Sequence, residues 1–176
     1  MSAQLKSKIL VTGPPGCGKT TLIQKVVDSL KMPTLGFFTS EIKQMGQRVG
    51  FAVETFSKPP KTGTLAHVNV KSAQRVGKYG VNVDEFEQIV LPELQSALSA
   101  NVLVAIDEIG KMELISSRFR EMLVQLFESD SRILASILYI PHPFCDRLKS
   151  RPDVELVAVN KDNRVSLVTD LGRLLS

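Results

Sequence analysis

The sequence predicts an α/β domain in which a mostly parallel sheet is covered by helices on both faces. Three observations lead to this prediction. Five short runs are apolar throughout, as buried parallel strands are; they lie at 8–12, 36–39, 102–106, 133–138 and 156–159. Helical patterns separate most of these runs, and such alternation is typical of a parallel sheet. One stretch, 37–55, breaks the alternation and predicts an antiparallel hairpin at the sheet edge.

Length and composition are those of one globular domain. With 176 residues, of which 43% are hydrophobic and 23% charged, the chain can bury a core without disulfides or a structural metal. The longest apolar run, 102–106, is far shorter than the roughly 20 residues of a membrane helix. The two cysteines, Cys17 and Cys145, fit a reducing compartment. We therefore expect a single cytoplasmic domain over 1–176 that does not enter a membrane, with a monomer favoured.

The strongest motif follows the first predicted strand. Residues 13–20, GPPGCGKT, match G-x-x-x-x-G-K-S/T at every fixed position, between a buried strand and a helix. In such a loop, backbone N–H groups and the helix N-terminus converge on phosphate oxygens. The lysine reaches the β- and γ-phosphates, and the final hydroxyl binds Mg²⁺. The predicted nucleotide-binding residues here are Gly13, Pro14, Pro15, Gly16, Cys17, Gly18, Lys19, Thr20 and Thr21.

Periodicity places the helices. The first begins near Thr20, where one apolar face is formed by Leu22, Ile23, Val26, Val27 and Leu30. Asp84 and Glu87 resemble a capping box that opens the next helix, and Pro92 predicts a kink or a fresh start within it. Two more amphipathic helices are predicted around 119–127 and 167–174.

An insertion, residues 40–83, separates the second parallel strand from the helix at Asp84. We predict the hairpin followed by a basic loop, because 55–83 holds no acid but holds Lys58, Lys61, Lys71, Arg75 and Lys78. A local positive field attracts a nucleoside triphosphate or a nucleic-acid strand. The alternative is a solvated basic loop. Since long loops on a rigid sheet carry function, we expect the insertion to determine specificity.

A second motif ends the strand at 102–106, where Asp107 and Glu108 follow directly. A buried parallel strand that delivers an Asp opposite the phosphate-binding loop is typical of enzymes that hold Mg²⁺ there. Asp107, acting through water, and Thr20 are therefore the predicted metal residues. A second carboxylate polarises an attacking water, as general base or by orientation. Glu108 and Lys19 are the predicted catalytic residues.

The nucleotide base has a weaker signal. Residues 107–110, DEIG, match the D-x-x-G of GTPases, and 160–163, NKDN, nearly match their N-K-x-D. The Asp of that motif accepts two N–H bonds from guanine, whereas Asn163 offers one carbonyl oxygen and a donor. We therefore predict a permissive base pocket that includes Asn163 and Arg164. In the alternative, Asn163 is simply the N-cap of the last helix.

Together these residues resemble a known family, the nucleoside-triphosphatases first described in thermophiles, which have a cancer-related vertebrate homologue. The octapeptide DEIGKMEL at 107–114 is the most specific match. The others are 13–16, 48–51, Thr39 with Glu41, 75–77 with Tyr79, Glu87, Pro92 and 163–164. The resemblance implies a three-layer, RecA-like P-loop fold with an extra strand between the P-loop strand and the Asp107 strand. It also implies slow, Mg²⁺-dependent hydrolysis of ATP, GTP and other nucleoside triphosphates to diphosphate and phosphate.

Some polar residues have less certain roles. Phosphoryl transfer usually needs a further cation at the γ-phosphate, for which Arg48 and Arg75 are favoured because both lie in the insertion and in the family pattern. Ser136 either senses the γ-phosphate or is a core hydroxyl bonded to backbone. His67 and His142 have no partners at ligand spacing and are predicted to lie at the surface.

Three functions remain open from the sequence. The favoured one is a nucleoside-triphosphatase with broad base tolerance. A small nucleotide or nucleoside kinase, or another phosphotransferase of unknown acceptor, is the alternative, with Glu108 or an acid of the insertion activating the acceptor. A nucleic-acid-associated protein is weakly supported, because aromatic residues make up only 6% of the chain and the basic stretch offers few of them for base stacking.

Overall fold

Nine strands form one mixed sheet in the computed structural model, which describes residues 6–176. The strands are β1 (Lys8–Thr12), β2 (Thr34–Gln44), β3 (Gln47–Thr55), β4 (Thr62–His67), β5 (Arg75–Val76), β6 (Tyr79–Val81), β7 (Leu103–Ile109), β8 (Arg132–Ile137) and β9 (Val154–Ala158). The helices are α1 (Lys19–Leu30), α2 (Val83–Leu98), α3 (Ser117–Glu128), α4 (Pro143–Lys149) and α5 (Arg164–Leu175), with a short 3₁₀ helix at Glu113–Ile115.

The sheet has a parallel half and an antiparallel half. Its order is β5-β6-β4-β3-β2-β7-β8-β1-β9. Strands β2, β7, β8, β1 and β9 pair in parallel, and β8 separates β1 from β7, as the family resemblance implies. Strands β3 to β6 pair antiparallel. The predicted α/β fold is thus confirmed, and the carboxyl ends of β1, β7 and β8 meet at one edge.

Helices cover both faces, so the domain core has three layers. Side chains of α1 and α5 pack on one face against Ile9, Val11 and Leu103. Side chains of α2, α3 and α4 pack on the other face, against strand residues that include Leu10 and Val104. The alternation of side chains along a strand sends neighbouring residues to opposite faces. This explains why the parallel strands are apolar throughout.

The second face has an aromatic centre. The rings of Phe37, Phe86 and Phe119 are mutually packed edge to face, with centroids 5.3–5.7 Å apart. All three are buried, and edge-to-face pairs of this kind stabilise a core beyond their buried area. They join β2, α2 and α3. Nearby, the buried side chain of Glu93 accepts N–H bonds from Gly36 and Ser57, which ties α2 to β2 and to the segment that follows β3.

The insertion differs from its prediction in two ways. The hairpin β2–β3 is confirmed, with Met45 and Gly46 at its turn, but it does not lie at the sheet edge. The basic segment is not a loop, because it forms β4, β5 and β6, which continue the sheet beyond β3. Two of these strands have only two or three residues. Runs this short have no readable periodicity.

The start of α2 also differs from its prediction. The helix begins at Val83 with Asn82 as its N-cap residue, so Asp84 already lies in the first turn and does not cap. Glu87 instead accepts hydrogen bonds from Ser116 and Arg118, which links α2 to the start of α3. The helix continues through Pro92 without a fresh start. Within residues 6–176, no helix combines the length and apolar character needed to cross a membrane.

Candidate active site

The loop between β1 and α1 has the backbone geometry of a phosphate-binding loop. Gly16 and Gly18 have φ angles of 77° and 105°, which residues with a side chain rarely adopt. The loop therefore requires glycine at both positions. Lys19 Nζ folds back over it and donates to the carbonyl oxygens of Gly13, at 2.8 Å, and Pro14, at 3.3 Å. The ammonium group is thus held over the loop and in front of α1.

Asp107 and Glu108 lie near the end of β7, opposite this loop. Asp107 is buried and accepts a hydrogen bond from the hydroxyl of Ser136 on the adjacent β8. Ser136 is thus bonded to a side chain and not, as one sequence hypothesis held, to backbone. The peptide bond between Asp107 and Glu108 is cis. Glu108 is only partly buried and lines the open space in front of the loop.

Carboxylates crowd this end of β7. Burial, and then the negative charge of Asp107, raise the pKa of Glu108 above its usual range, while the Lys19 ammonium opposes the shift. The pKa of Glu113, in the 3₁₀ helix, is shifted further. Its burial, reinforced by the charge of Glu108, raises its pKa from 4.5 to about 8. Glu113 is therefore mostly protonated at neutral pH.

An open cleft of about 460 Å³ connects the two motifs. It is lined by Gly16, Gly18, Lys19, Thr20, Thr21, Thr39, Ser40, Glu41, Phe51, Asp107, Glu108 and Arg164. The fold therefore brings the two predicted catalytic residues and the two predicted metal residues into one space. The hydroxyl of Thr20 and the carboxylate of Asp107 fit Mg²⁺, which prefers oxygen ligands and is often held by one or two carboxylates together with substrate phosphates.

The two candidate γ-phosphate cations lie in different places. Arg48 forms an ion pair with Glu41, with 2.8 Å between Nη1 and Oε1, and its guanidinium lies 5.2 Å from the centre of the Phe51 ring. Glu41 and Phe51 both line the cleft, so Arg48 contacts two residues of its wall. Arg75 lies on β5 at the far edge of the sheet, where its Nη2 donates to the carbonyl of Lys78 at 2.6 Å.

The two residues predicted to contact the nucleotide base, Asn163 and Arg164, lie at the start of α5. Asn163 is the N-cap residue, but its side chain bonds backward along the chain: Oδ1 accepts from Asn160 N–H and Nδ2 donates to Ala158 O, at 2.9 and 2.8 Å. The Arg164 side chain lies over Gly18, where an added Cβ would be 3.0 Å from Cδ. Arg164 therefore lines the cleft, whereas Asn163 shapes the loop that carries it.

Sequence reasoning missed several residues around the cleft. Glu41, Thr39 and Phe51 were noted only as matches to the family, and Glu113 only as part of the octapeptide. No local pattern places Thr39 and Phe51 beside Glu108, because their approach depends on the pairing of β2 with both β3 and β7. The signal for Glu113 was its position in the octapeptide, five residues after Glu108. His67 and His142 are partly buried rather than fully at the surface.

Comparison with known proteins decides the family. A protein-family profile described as NTPase matches residues 8–171, nearly the whole chain. The chain belongs to this NTPase family. Nucleoside-triphosphatase THEP1 of Thermotoga petrophila is 43% identical over 164 residues, which cover 93% of this chain and 90% of the relative. The human cancer-related nucleoside-triphosphatase is 37% identical over 179 residues, covering 93% of each chain.

Solved structures of NTPase family members have the same fold. The crystal structure of THEP1 from Aquifex aeolicus superimposes with a TM-score of 0.87 at 34% identity, covering 96% of this chain and 99% of the other. The solution structure of a human cancer-related nucleoside triphosphatase gives a TM-score of 0.82 at 35% identity, covering 96% and 97%. The resemblance inferred from the motifs is confirmed, and with it the enzyme class, since nucleoside-triphosphatases are hydrolases.

Proposed function

We propose that this NTPase family member hydrolyses nucleoside 5′-triphosphates, ATP and GTP among them, to nucleoside diphosphate and phosphate in a Mg²⁺-dependent reaction. One observation carries the proposal: Lys19, Thr20, Asp107 and Glu108 all line a single cleft in front of the phosphate-binding loop. The names of the relatives, nucleoside-triphosphatases, agree with it.

The P-loop residues 13–21 bind the phosphates in this mechanism. Phosphate oxygens replace the carbonyls of Gly13 and Pro14 as partners of the Lys19 ammonium, which then faces the β- and γ-phosphates. Thr20 and Asp107 would hold Mg²⁺, which neutralises charge on the phosphate oxygens when bound. Ser136 orients the Asp107 carboxylate through its hydrogen bond.

Glu108 accepts the proton of the attacking water. Its carboxylate lines the cleft opposite the loop and has no hydrogen-bonded partner among the described side chains. A partly buried carboxylate beside Asp107 binds a proton more readily than one in water. The water oxygen attacks the γ-phosphorus, and the bond to the bridging oxygen of the diphosphate breaks.

Low base selectivity is part of the proposal. The carbonyl oxygen of Asn163, at the position where GTPases have the guanine-reading Asp, already accepts the Asn160 N–H. Arg164 lies at the cleft over Gly18 and offers a cation that interacts with any nucleotide. We propose Arg48, which contacts Glu41 and Phe51 of the cleft wall, as the further cation of the reaction in preference to Arg75.

The test is phosphate release from each of the four ribonucleoside triphosphates with Mg²⁺. Wild type is compared with Lys19→Ala, Glu108→Gln and the control Glu121→Gln, an exposed carboxylate on α3. We expect similar rates on all four substrates, loss of at least a hundredfold in the first two variants, and a wild-type rate in the control. An unchanged rate in Glu108→Gln would contradict the proposed role of that residue.

A further inference from the structure

A second cavity, of about 220 Å³, adjoins the nucleotide cleft. The two spaces share three wall residues, Thr39, Phe51 and Glu108. Glu108 therefore stands at the junction, with the P-loop on one side and the cavity on the other. A molecule in the second cavity would therefore contact the residue proposed above as the proton acceptor.

The remaining walls of this cavity are mainly apolar. Leu65 of β4, Val76 of β5, Met112 and Leu138 provide them, and Lys111 and Glu113 add two polar groups. The insertion thus supplies much of the wall, through β3, β4 and β5. Concave, mostly apolar spaces with a few polar groups are typical of sites for small organic molecules.

Hydrolysis alone does not require such a space. A water molecule occupies about 30 Å³ of liquid volume, so the cavity is several times larger than the nucleophile that a hydrolase uses. Five of its nine lining residues are apolar, so a large part of the wall offers no hydrogen bond, whereas ordered water in a protein usually makes about three. The size and the chemistry of the walls both fit an organic molecule better than water.

We propose that this cavity is a second substrate site, which binds a small, largely apolar alcohol whose hydroxyl group accepts the γ-phosphoryl group in place of water. The inference rests on the proposed function, because the phosphoryl donor is the same nucleoside triphosphate and the proton acceptor is again Glu108. The hydroxyl oxygen forms a bond to the γ-phosphorus, and the bond from that phosphorus to the bridging oxygen breaks. The electron pair leaves with the nucleoside diphosphate, and the hydroxyl proton goes to Glu108. Lys111 and Glu113 orient the alcohol.

The experiment uses 2-phenylethanol as the probe alcohol, with ATP, Mg²⁺ and the full chain. Phosphorus NMR counts two products in one sample: inorganic phosphate, formed from water, and the phosphate monoester of the probe. Their ratio is the readout, because it does not depend on how much enzyme is folded or how well ATP binds. We expect the ester to appear and to saturate with rising alcohol concentration, as binding to a site requires.

Two matched variants locate the site. Val76→Phe places a ring in the cavity, whereas Val68→Phe makes the same change at another half-buried valine of the insertion that does not line it. We expect the ratio of ester to phosphate to fall at least tenfold in Val76→Phe and to remain at the wild-type value in Val68→Phe. Thermal unfolding of both variants verifies that they fold.

The outcomes separate this inference from the proposed function. Phosphate release without ester in wild type overturns the second site and leaves hydrolysis intact. Equal ratios in wild type and Val76→Phe also overturn it, because the alcohol would then react from outside the cavity. If no phosphate is released and no ester forms, the proposed function and the second site fail together.

Discussion

The carboxyl groups of Glu108 and Glu113 converge on the space above Gly110. A Cβ atom added to Gly110 would lie 2.7 Å from Glu108 Oε1 and 2.9 Å from Glu113 Oε2. Both separations are shorter than a Cβ atom tolerates. Glycine at this position therefore leaves room for the partly exposed carboxylate of Glu108 and the buried carboxyl group of Glu113 at the same end of β7.

Gly110→Ala tests whether phosphate release depends on the position of the Glu108 side chain. The added methyl group displaces the ends of two side chains, one of them buried, and crowding of this kind lowers the free energy of unfolding by about 1–3 kcal/mol. The same movement takes Glu108 off its position, and we expect phosphate release to fall at least tenfold. Gly172→Ala is the matched control, because its Cβ meets only Ser29 Oγ, at 3.7 Å. Equal rates in the two variants would contradict the argument.

Glu113 makes stability depend on pH. Its pKa rises from 4.5 in the unfolded chain to about 8 in the folded one, so the folded state keeps a proton that the unfolded state has lost. The free energy of unfolding therefore falls as pH rises through this window, by up to about 1.4 kcal/mol per pH unit. We expect Glu113→Gln to remove this slope.

Urea unfolding of both proteins at several pH values between about 5 and about 8 measures the slope. The variant should gain stability relative to wild type toward the alkaline end of the window. Two parallel profiles would show that Glu113 does not retain its proton in the folded state.

Ser136→Ala removes the hydroxyl that orients Asp107. Loss of a hydrogen bond that holds a metal-binding carboxylate commonly costs tenfold to a hundredfold in metal affinity. We expect the Mg²⁺ concentration for half-maximal phosphate release to rise by about tenfold or more. The control is Ser116→Ala, another buried serine bonded to a carboxylate, Glu87. It also caps α3, so its loss lowers stability by about 1 kcal/mol and should leave the Mg²⁺ requirement unchanged.

The two candidate arginines give opposite expectations. Arg48 contacts Glu41 and Phe51 of the cleft wall, so Arg48→Ala should lower kcat at least tenfold. Arg75 is bonded to the Lys78 carbonyl at the sheet edge, and Arg75→Ala should keep kcat within about twofold of wild type. Steady-state kinetics with ATP measures both. A larger effect at Arg75 would reverse the assignment.

The sequence was most informative where the residues of a motif are consecutive in the chain. The loop 13–20 and the pair Asp107 and Glu108 are each a few consecutive residues beside a buried strand, so their pattern and their setting could be recognised together. The parallel strands were predicted for the same reason. A strand buried on both faces is apolar at every position, which is a strong local signal.

Other features depend on partners far apart in sequence. Ser136 bonds Asp107 across 29 positions, and Glu93 bonds Gly36 across 57. No local sequence pattern predicts either contact. The strands β5 and β6 were missed because they are too short for alternation to be read, and they form by pairing with strands already in place. The capping prediction at Asp84 failed because the helix begins one residue before it, at Val83; Asn82 holds the N-cap position, although its side chain makes no capping hydrogen bond.

Different strands of the nine-stranded sheet carry the phosphate-binding groups and much of the wall of the second cavity. The phosphate-binding loop and the acidic pair belong to β1 and β7, whereas much of the wall of the second cavity belongs to β3, β4 and β5. Substitutions at Leu65 of β4 and Val76 of β5 can therefore change what fits beside Glu108 without touching the groups proposed to handle phosphate. Descendants of one ancestral gene could diverge in this way while each kept the same hydrolytic machinery.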